Sequence, residues 1–123
     1  MAYDEDLADR IRVAIGTTKL TGQITEKRMF GGLAFLINGN MAVSASGQGG
    51  LLLRVDPAET DELAADPNAR RFEMRGREMD GWLRVDGAAV TSDKALRGWV
   101  RIGLDYAGSL PPKRKLVNRP VRG

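Results

Sequence analysis

Three arginines sit where the surrounding residues read as β-strand: Arg28, Arg54 and Arg84. A guanidinium presents a planar fork of donors that matches a carboxylate or a phosphate. In an otherwise apolar strand it either meets solvent on an open sheet face or lines a pocket. If strand pairing brings the three to one face, they form a cationic patch suited to a small anionic ligand. Glu26 and Arg28 share one face of their strand and Lys27 takes the other, so a cross-strand ion pair on a solvated surface accounts for the same residues. A second cationic group is Lys113-Arg114-Lys115. Lysine and arginine in a flexible tail neutralise phosphates without reading sequence, which points to nucleic acid, although a solubilising terminus has the same composition. No aromatic residue follows Pro111, so base stacking is not expected from the tail.

Other chemistry is thinly represented. The chain has no histidine and no cysteine. That removes histidine general bases, cysteine nucleophiles, disulfides and thiolate zinc sites. An oxygen-only metal site would draw on Glu78, Asp80 and Asp86, but these lack the regular spacing of a calcium loop and fit turn geometry instead. Gly47-Gln48-Gly49-Gly50 is followed by Leu51-Leu52-Leu53 rather than by lysine, hydroxyl and helix. It therefore reads as a hairpin loop and not as a phosphate cradle. Phe72, Trp82, Trp99 and Tyr106 are expected to be packing residues rather than a stacking platform. No catalytic residue, metal ligand or cofactor is assigned, and an enzyme ranks last among the readings.

The elements that position these side chains follow from periodicity. Tyr3, Leu7, Ile11, Ala14 and Ile15 fall on one helical face, with Asp4, Glu5 and Asp6 in the first turn and Gly16 as a stop. Ile24 to Phe30 reads as a strand, and Gly31-Gly32 as a bulge or bend. Asn38-Gly39 supplies a two-residue type I′ turn. It pairs Ile37 with Asn40, Leu36 with Met41, Phe35 with Ala42 and Ala34 with Val43, with apolar side chains on both faces. Leu51 to Val55 is the next strand. Asp56-Pro57-Ala58-Glu59 reads as a helix start with Asp56 as cap and Glu59 closing a capping box; Asp66-Pro67 ends that helix. Arg71 to Arg75 and Met79 to Val85 form a second hairpin around Gly76. A last helix runs from about Ser92 to Leu110, with Leu96, Trp99, Val100, Gly103, Tyr106, Ala107 and Leu110 on one stripe, and Pro111-Pro112 stops it.

The expected architecture is α+β: a mainly antiparallel sheet of about five strands with N- and C-terminal helices packed on it. Residues 1–110 form one domain and residues 111–123 a basic, disordered tail. All 16 acidic residues lie before Pro111, whereas Lys113, Arg114, Lys115, Arg119 and Arg122 follow it, so the net charge of +3 resides in the tail. The acidic opening Met1 to Asp6 and the absence of any long apolar run predict a cytoplasmic protein with no membrane contact. Exposed strand edges leave room for a homodimer.

Lys27-Arg28-Met29-Phe30-Gly31-Gly32-Leu33-Ala34-Phe35, continuing through Asn38-Gly39-Asn40-Met41-Ala42, resembles the N-terminal domain of the TfoX/Sxy proteins, regulators of natural competence. Leu51 to Val55, Gly81-Trp82, Trp99 and Ser109 to Lys113 follow in the same order. The resemblance covers about residues 3 to 113. It implies a non-enzymatic domain acting in transcriptional control through a protein partner, such as the transcription machinery. Direct nucleic-acid binding through the tail and binding of a small anion are the alternatives. The family carries no catalytic residues over to this chain.

Overall fold

The computed structural model describes residues 3–17, 23–29 and 31–112. Helix α1 (Glu5–Gly16) begins one residue after Asp4, whose extended backbone and side chain make it the cap: its Oδ1 accepts from the amides of Asp6 at 2.9 Å and Leu7 at 3.1 Å. This satisfies two of the amides that a helix start leaves unpaired. Leu7, Ala8, Ile11, Ala14 and Ile15 form its buried side.

Strands β1 (Ile24–Met29), β2 (Gly32–Ile37), β3 (Asn40–Ala45) and β4 (Leu51–Arg54) form a meander. A 3₁₀ turn over Pro57–Glu59 and the short helix α2 (Thr60–Ala64) then lead to the hairpin β5 (Ala69–Met74) and β6 (Arg77–Val85). Strand β6 returns to pair with β4, so the six-stranded antiparallel sheet has the order β1-β2-β3-β4-β6-β5. Helix α3 (Asp93–Ser109) closes the fold, with the Ser92 hydroxyl accepting from the amide of Ala95 at 3.1 Å. The expected α+β class is borne out, with one more strand than anticipated. Phe30, at the end of the expected first strand, and the tail from Lys113 onward lie outside the described residues.

The hairpin register differs from expectation in an informative way. Asn38 and Gly39 take positive φ values of 54° and 86°, as a type I′ turn requires, and Ile37–Asn40 and Leu36–Met41 pair as expected. Beyond them the register shifts: Phe35 pairs with Val43 and Ala34 with Ser44. Ala42 is the extra residue of a bulge. Because alternate strand residues face opposite ways, one inserted residue reverses the faces of everything after it. Val43 and Ala45 thereby join Phe35 and Leu33 in the main core, and Ser44 turns away from it. The uninterrupted register would have put Ser44 in the core.

Asp56 also differs in detail. Its side chain accepts from the Ala58 amide at 2.9 Å, but Glu59 contributes its backbone N–H to the Asp56 carbonyl at 2.8 Å instead of a capping carboxylate. The proline-led turn is 3₁₀, and α2 starts only at Thr60.

The main core lies between the helices and one face of the sheet. Phe35, Leu51, Leu53, Leu83 and Val85 meet Ile11, Leu96, Val100 and Leu104 there. Gly103 lets α3 approach β3 closely: a Cβ at that position would stand 2.6 Å from the Ala42 carbonyl oxygen.

Candidate functional site

The opposite face of the sheet carries a second, smaller cluster. Ala34, Met41 and Leu52 are buried there, with Met29, Leu36, Phe72 and Trp82 half-buried around them. No helical residue belongs to this cluster. It is the sheet face turned away from the main core, with α3 coming near its end at Tyr106, and alternation along the strands decides which polar side chains share it.

Arg54 and Arg84 do. Arg54 ends β4 opposite Trp82, and Arg84 lies on β6 opposite Leu52. The Arg54 guanidinium stands over the Trp82 ring, 5.2 Å from its centroid, and 6.0 Å from that of Tyr106 on α3. These are cation–π distances. Among the described residues Arg54 makes no ion pair. Arg84 reaches the Ser46 hydroxyl and the Gly49 carbonyl, both at the long distance of 3.4 Å. Burial lowers its tendency to hold a proton, and the nearby Arg70 charge adds to that effect, partly offset by Asp86. The carboxylate of Asp86 is itself bonded to Arg70 at 2.7 Å. Lys27, opposite Ala34, and Arg70, opposite Arg84, bring further cations to this face, Arg70 being the one paired with Asp86.

Arg28 is not brought to the other two. Its register partner is Leu33, a residue of the main core, so Arg28 stands at the helix-side face of β1. Strands β2 and β3 also separate β1 from β4. The expected three-arginine patch thus resolves into Arg54 and Arg84 together and Arg28 apart. The cause is the parity of β1, which brings Lys27 to the face of Arg54 and Arg84 instead. Glu26, on the helix side with Arg28, meets a helix rather than another strand: Arg12 of α1 bonds its two oxygens at 2.7 and 2.9 Å. That fork holds the Glu26 carboxyl below its ordinary range and the Arg12 guanidinium above its own.

The acids that could have formed an oxygen-only metal site, Glu78, Asp80 and Asp86, have arginine neighbours. Arg71 is ion-paired with Asp61 and Asp80, and lies 3.9 Å from Glu78. Among the described residues no group of three acids is placed to hold a metal ion. Trp99 packs against the main core, half-buried. Lys113, Arg114 and Lys115 lie outside the described residues. The chain approaches them through Pro111, whose carbonyl accepts a bond from Asn40 Nδ2 at 3.0 Å.

Two supporting residues escaped the sequence reading. Thr60 is fully buried; its hydroxyl accepts from the Gly81 amide at 2.8 Å and faces the Pro57 carbonyl at 3.0 Å as donor. It thereby fixes the strand just before Trp82. Asn40, read only as a flank of the turn, ties the hairpin to the end of α3. Neither has a periodic signal, because each acts across a long sequence separation. No helix among the described residues is long and apolar enough to cross a membrane.

This sheet face carries Lys27, Arg54 and Arg84 around half-buried apolar side chains. Comparison with known proteins agrees with the order of elements. The model of the TfoX N-terminal domain matches residues 17–107, well over half of the chain, from just after α1 to the last turn of α3. No curated protein matches the chain. The hairpin, the sheet that continues from it and the closing helix all lie within the matched residues, and the chain belongs to the TfoX N-terminal domain family.

Proposed function

We propose that the protein is a non-enzymatic regulatory domain of the competence-regulator type, acting in the cytoplasm on transcription by holding a protein partner. The supporting observation is the sheet face turned away from the main core: Lys27, Arg54 and Arg84 stand there without an ion-pair partner among the described residues, around the half-buried Leu36 and Trp82. Such a surface complements a partner that is acidic and in part apolar. The transcription machinery is the partner tested first. Full-length protein is immobilised and exposed to purified RNA polymerase from the same cells. Retention at low salt, falling with ionic strength and lost in the combined Lys27→Glu, Arg54→Glu, Arg84→Glu variant, supports the reading. No retention at low salt, or equal retention by the charge-reversed variant, rejects it.

A second reading is favoured by one observation. The chain leaves Pro111, beside Asn40, directly into Lys113-Arg114-Lys115. A basic segment starting at that end of the sheet suits nucleic acid. DNA binding that weakens steeply with salt and disappears on removal of residues 113–123 supports it.

A further inference from the structure

We propose that the cleft between α1 and α3 binds a small aliphatic carboxylate, with the tail against Val13, Ala14 and Leu96 and the carboxylate on Arg97. The two helices pack together on the main core. Along the seam between them is a surface cleft of about 140 Å³, lined by Arg10, Val13, Ala14, Asp93, Leu96 and Arg97. Three of these belong to α1 and three to α3, at the three- and four-residue spacings that share a helix face. The cleft therefore lies on the helical side of the molecule, away from Lys27, Arg54 and Arg84. The proposal does not depend on the protein-partner reading.

The lining and the charge of the cleft select the ligand. Ala14 and Leu96 are buried, whereas Val13 stands 68% exposed. Valine is a poor helix former and gains little from packing at that exposure, so folding does not account for it. An aliphatic tail laid over it removes that apolar surface from water. A void of about 150 Å³ accommodates a benzene-sized group, so the tail has about four to six carbons. Arg10 bridges the two helices: its Nε and Nη2 donate to Asp93 Oδ1 at 3.2 and 3.0 Å, and Nη2 also donates to the Thr91 carbonyl at 3.2 Å. That guanidinium is engaged, and Asp93 balances its charge. Arg97 is exposed and, among the described residues, its side chain has neither an ion pair nor a hydrogen bond. The cleft thus carries one unbalanced positive charge, on a group whose planar fork matches a carboxylate.

The same residues disfavour other occupants. An alkylammonium would bring its charge to Arg97 rather than to a free acid, because Asp93 is already held by Arg10. A nucleic acid needs several cations along its backbone and aromatic faces for its bases, and the cleft has one unbalanced cation and no aromatic lining residue.

The test titrates isotope-labelled full-length protein with isocaproate and follows the amide chemical shifts. Acetate supplies the charge without the tail; isohexanol and isohexylamine supply the tail without the negative charge. Isocaproate shifts the amides of Val13, Ala14, Leu96 and Arg97 saturably. It binds about tenfold or more tighter than each of the other three. Arg97→Gln weakens it by about fivefold. Val13→Glu, which sets an acid in the cleft, weakens it by about tenfold. Both substitutions are at exposed positions. Circular dichroism and thermal melting confirm folding, and should one variant not fold, the other decides. The combined Lys27→Glu, Arg54→Glu, Arg84→Glu variant binds isocaproate as the unaltered protein does. Equal binding of acetate, the alcohol or the amine overturns the proposal, and so does unchanged binding by a folded Arg97→Gln or Val13→Glu variant. Shifts centred elsewhere, or loss of binding in the triple variant, place the acid outside the cleft and also overturn it. None of these outcomes bears on retention of RNA polymerase, so the cleft and the interaction domain fail separately.

Discussion

The amide nitrogen of Asn40 donates to the carbonyl of Pro111 across 71 positions of sequence, at 3.0 Å. This bond joins the start of β3 to the residue at which α3 has ended. It fixes the point from which the basic segment departs, at the hairpin end of the sheet. Asn40 is 8% exposed, so its side chain has little access to water as an alternative partner.

Asn40→Ala should therefore destabilise the protein by about 0.5–1.5 kcal/mol, the usual net worth of such a bond. Asn40→Asp should cost more, because a carboxylate cannot donate to the Pro111 carbonyl and is buried without a partner. Urea unfolding of the three proteins measures both effects. Hydrogen exchange in the last turn of α3 should accelerate in both variants, and unchanged exchange there would contradict the linking role.

Thr60 offers a second test. Its hydroxyl is the acceptor for the Gly81 amide, in a wholly buried setting one residue before Trp82. Thr60→Val keeps the shape and removes the acceptor, leaving a buried N–H unpaired at a cost of about 1–3 kcal/mol. Thr60→Ser keeps the hydroxyl and loses a methyl group, at about 1 kcal/mol. Faster exchange of the Gly81 amide in the Val variant, but not in the Ser variant, is the diagnostic result.

The contrast between Asn38-Gly39 and Asn40 shows what was legible in the sequence. A two-residue turn is decided by the φ values of the residues in it, so Asn38-Gly39 could be read locally. The pairing of Phe35 could not. It depends on whether Val43 or Ser44 enters the core, and the bulge at Ala42 settles that by burial against the helices. Arg54 and Arg84 were recognisable as cations in apolar strands. Their association, and the departure of Arg28, required the strand order and the parity of β1. The charge of Glu26 was visible, but its partner Arg12 belongs to a helix that meets β1 only in the folded chain.

Two glycines of α3 should respond in opposite directions to the same substitution. A Cβ at Gly103 would lie 2.6 Å from the Ala42 carbonyl oxygen and 2.7 Å from a Leu53 methyl. The methyl can move, but the carbonyl is held in the bulge, so α3 must lift from the sheet. Gly103→Ala should cost about 1–3 kcal/mol. Nothing lies within 4 Å of a Cβ at Gly98, which is exposed on the same helix. Gly98→Ala should stabilise by roughly 0.5–1 kcal/mol through helix propensity. Thermal melting of the pair separates close approach from propensity, and a stabilised Gly103→Ala would refute the packing described between α3 and β3.

The Arg12–Glu26 fork should make stability depend on pH in a defined direction. Arg12 Nε and Nη2 bond the two oxygens of Glu26, and the carboxyl is held below its ordinary range chiefly by those hydrogen bonds, opposed by burial and helped last by the charge of Arg12. The unfolded chain titrates this group near ~4.3. With the folded value lower, the unfolded state binds the proton more readily, so acidification favours unfolding. The stabilising contribution is complete above the unfolded value and is lost as pH falls through the folded one. Arg12, held above its ordinary range, remains charged throughout. Both side chains are more than a third exposed, at 42% and 38%, so solvent screening limits the contribution to under about 1 kcal/mol. Glu26→Gln removes the titration. Urea midpoints of the two proteins should differ most near neutral pH and converge as the pH falls through and below the folded value. A difference that stays constant over that range would show that Glu26 acts by packing rather than by its charge.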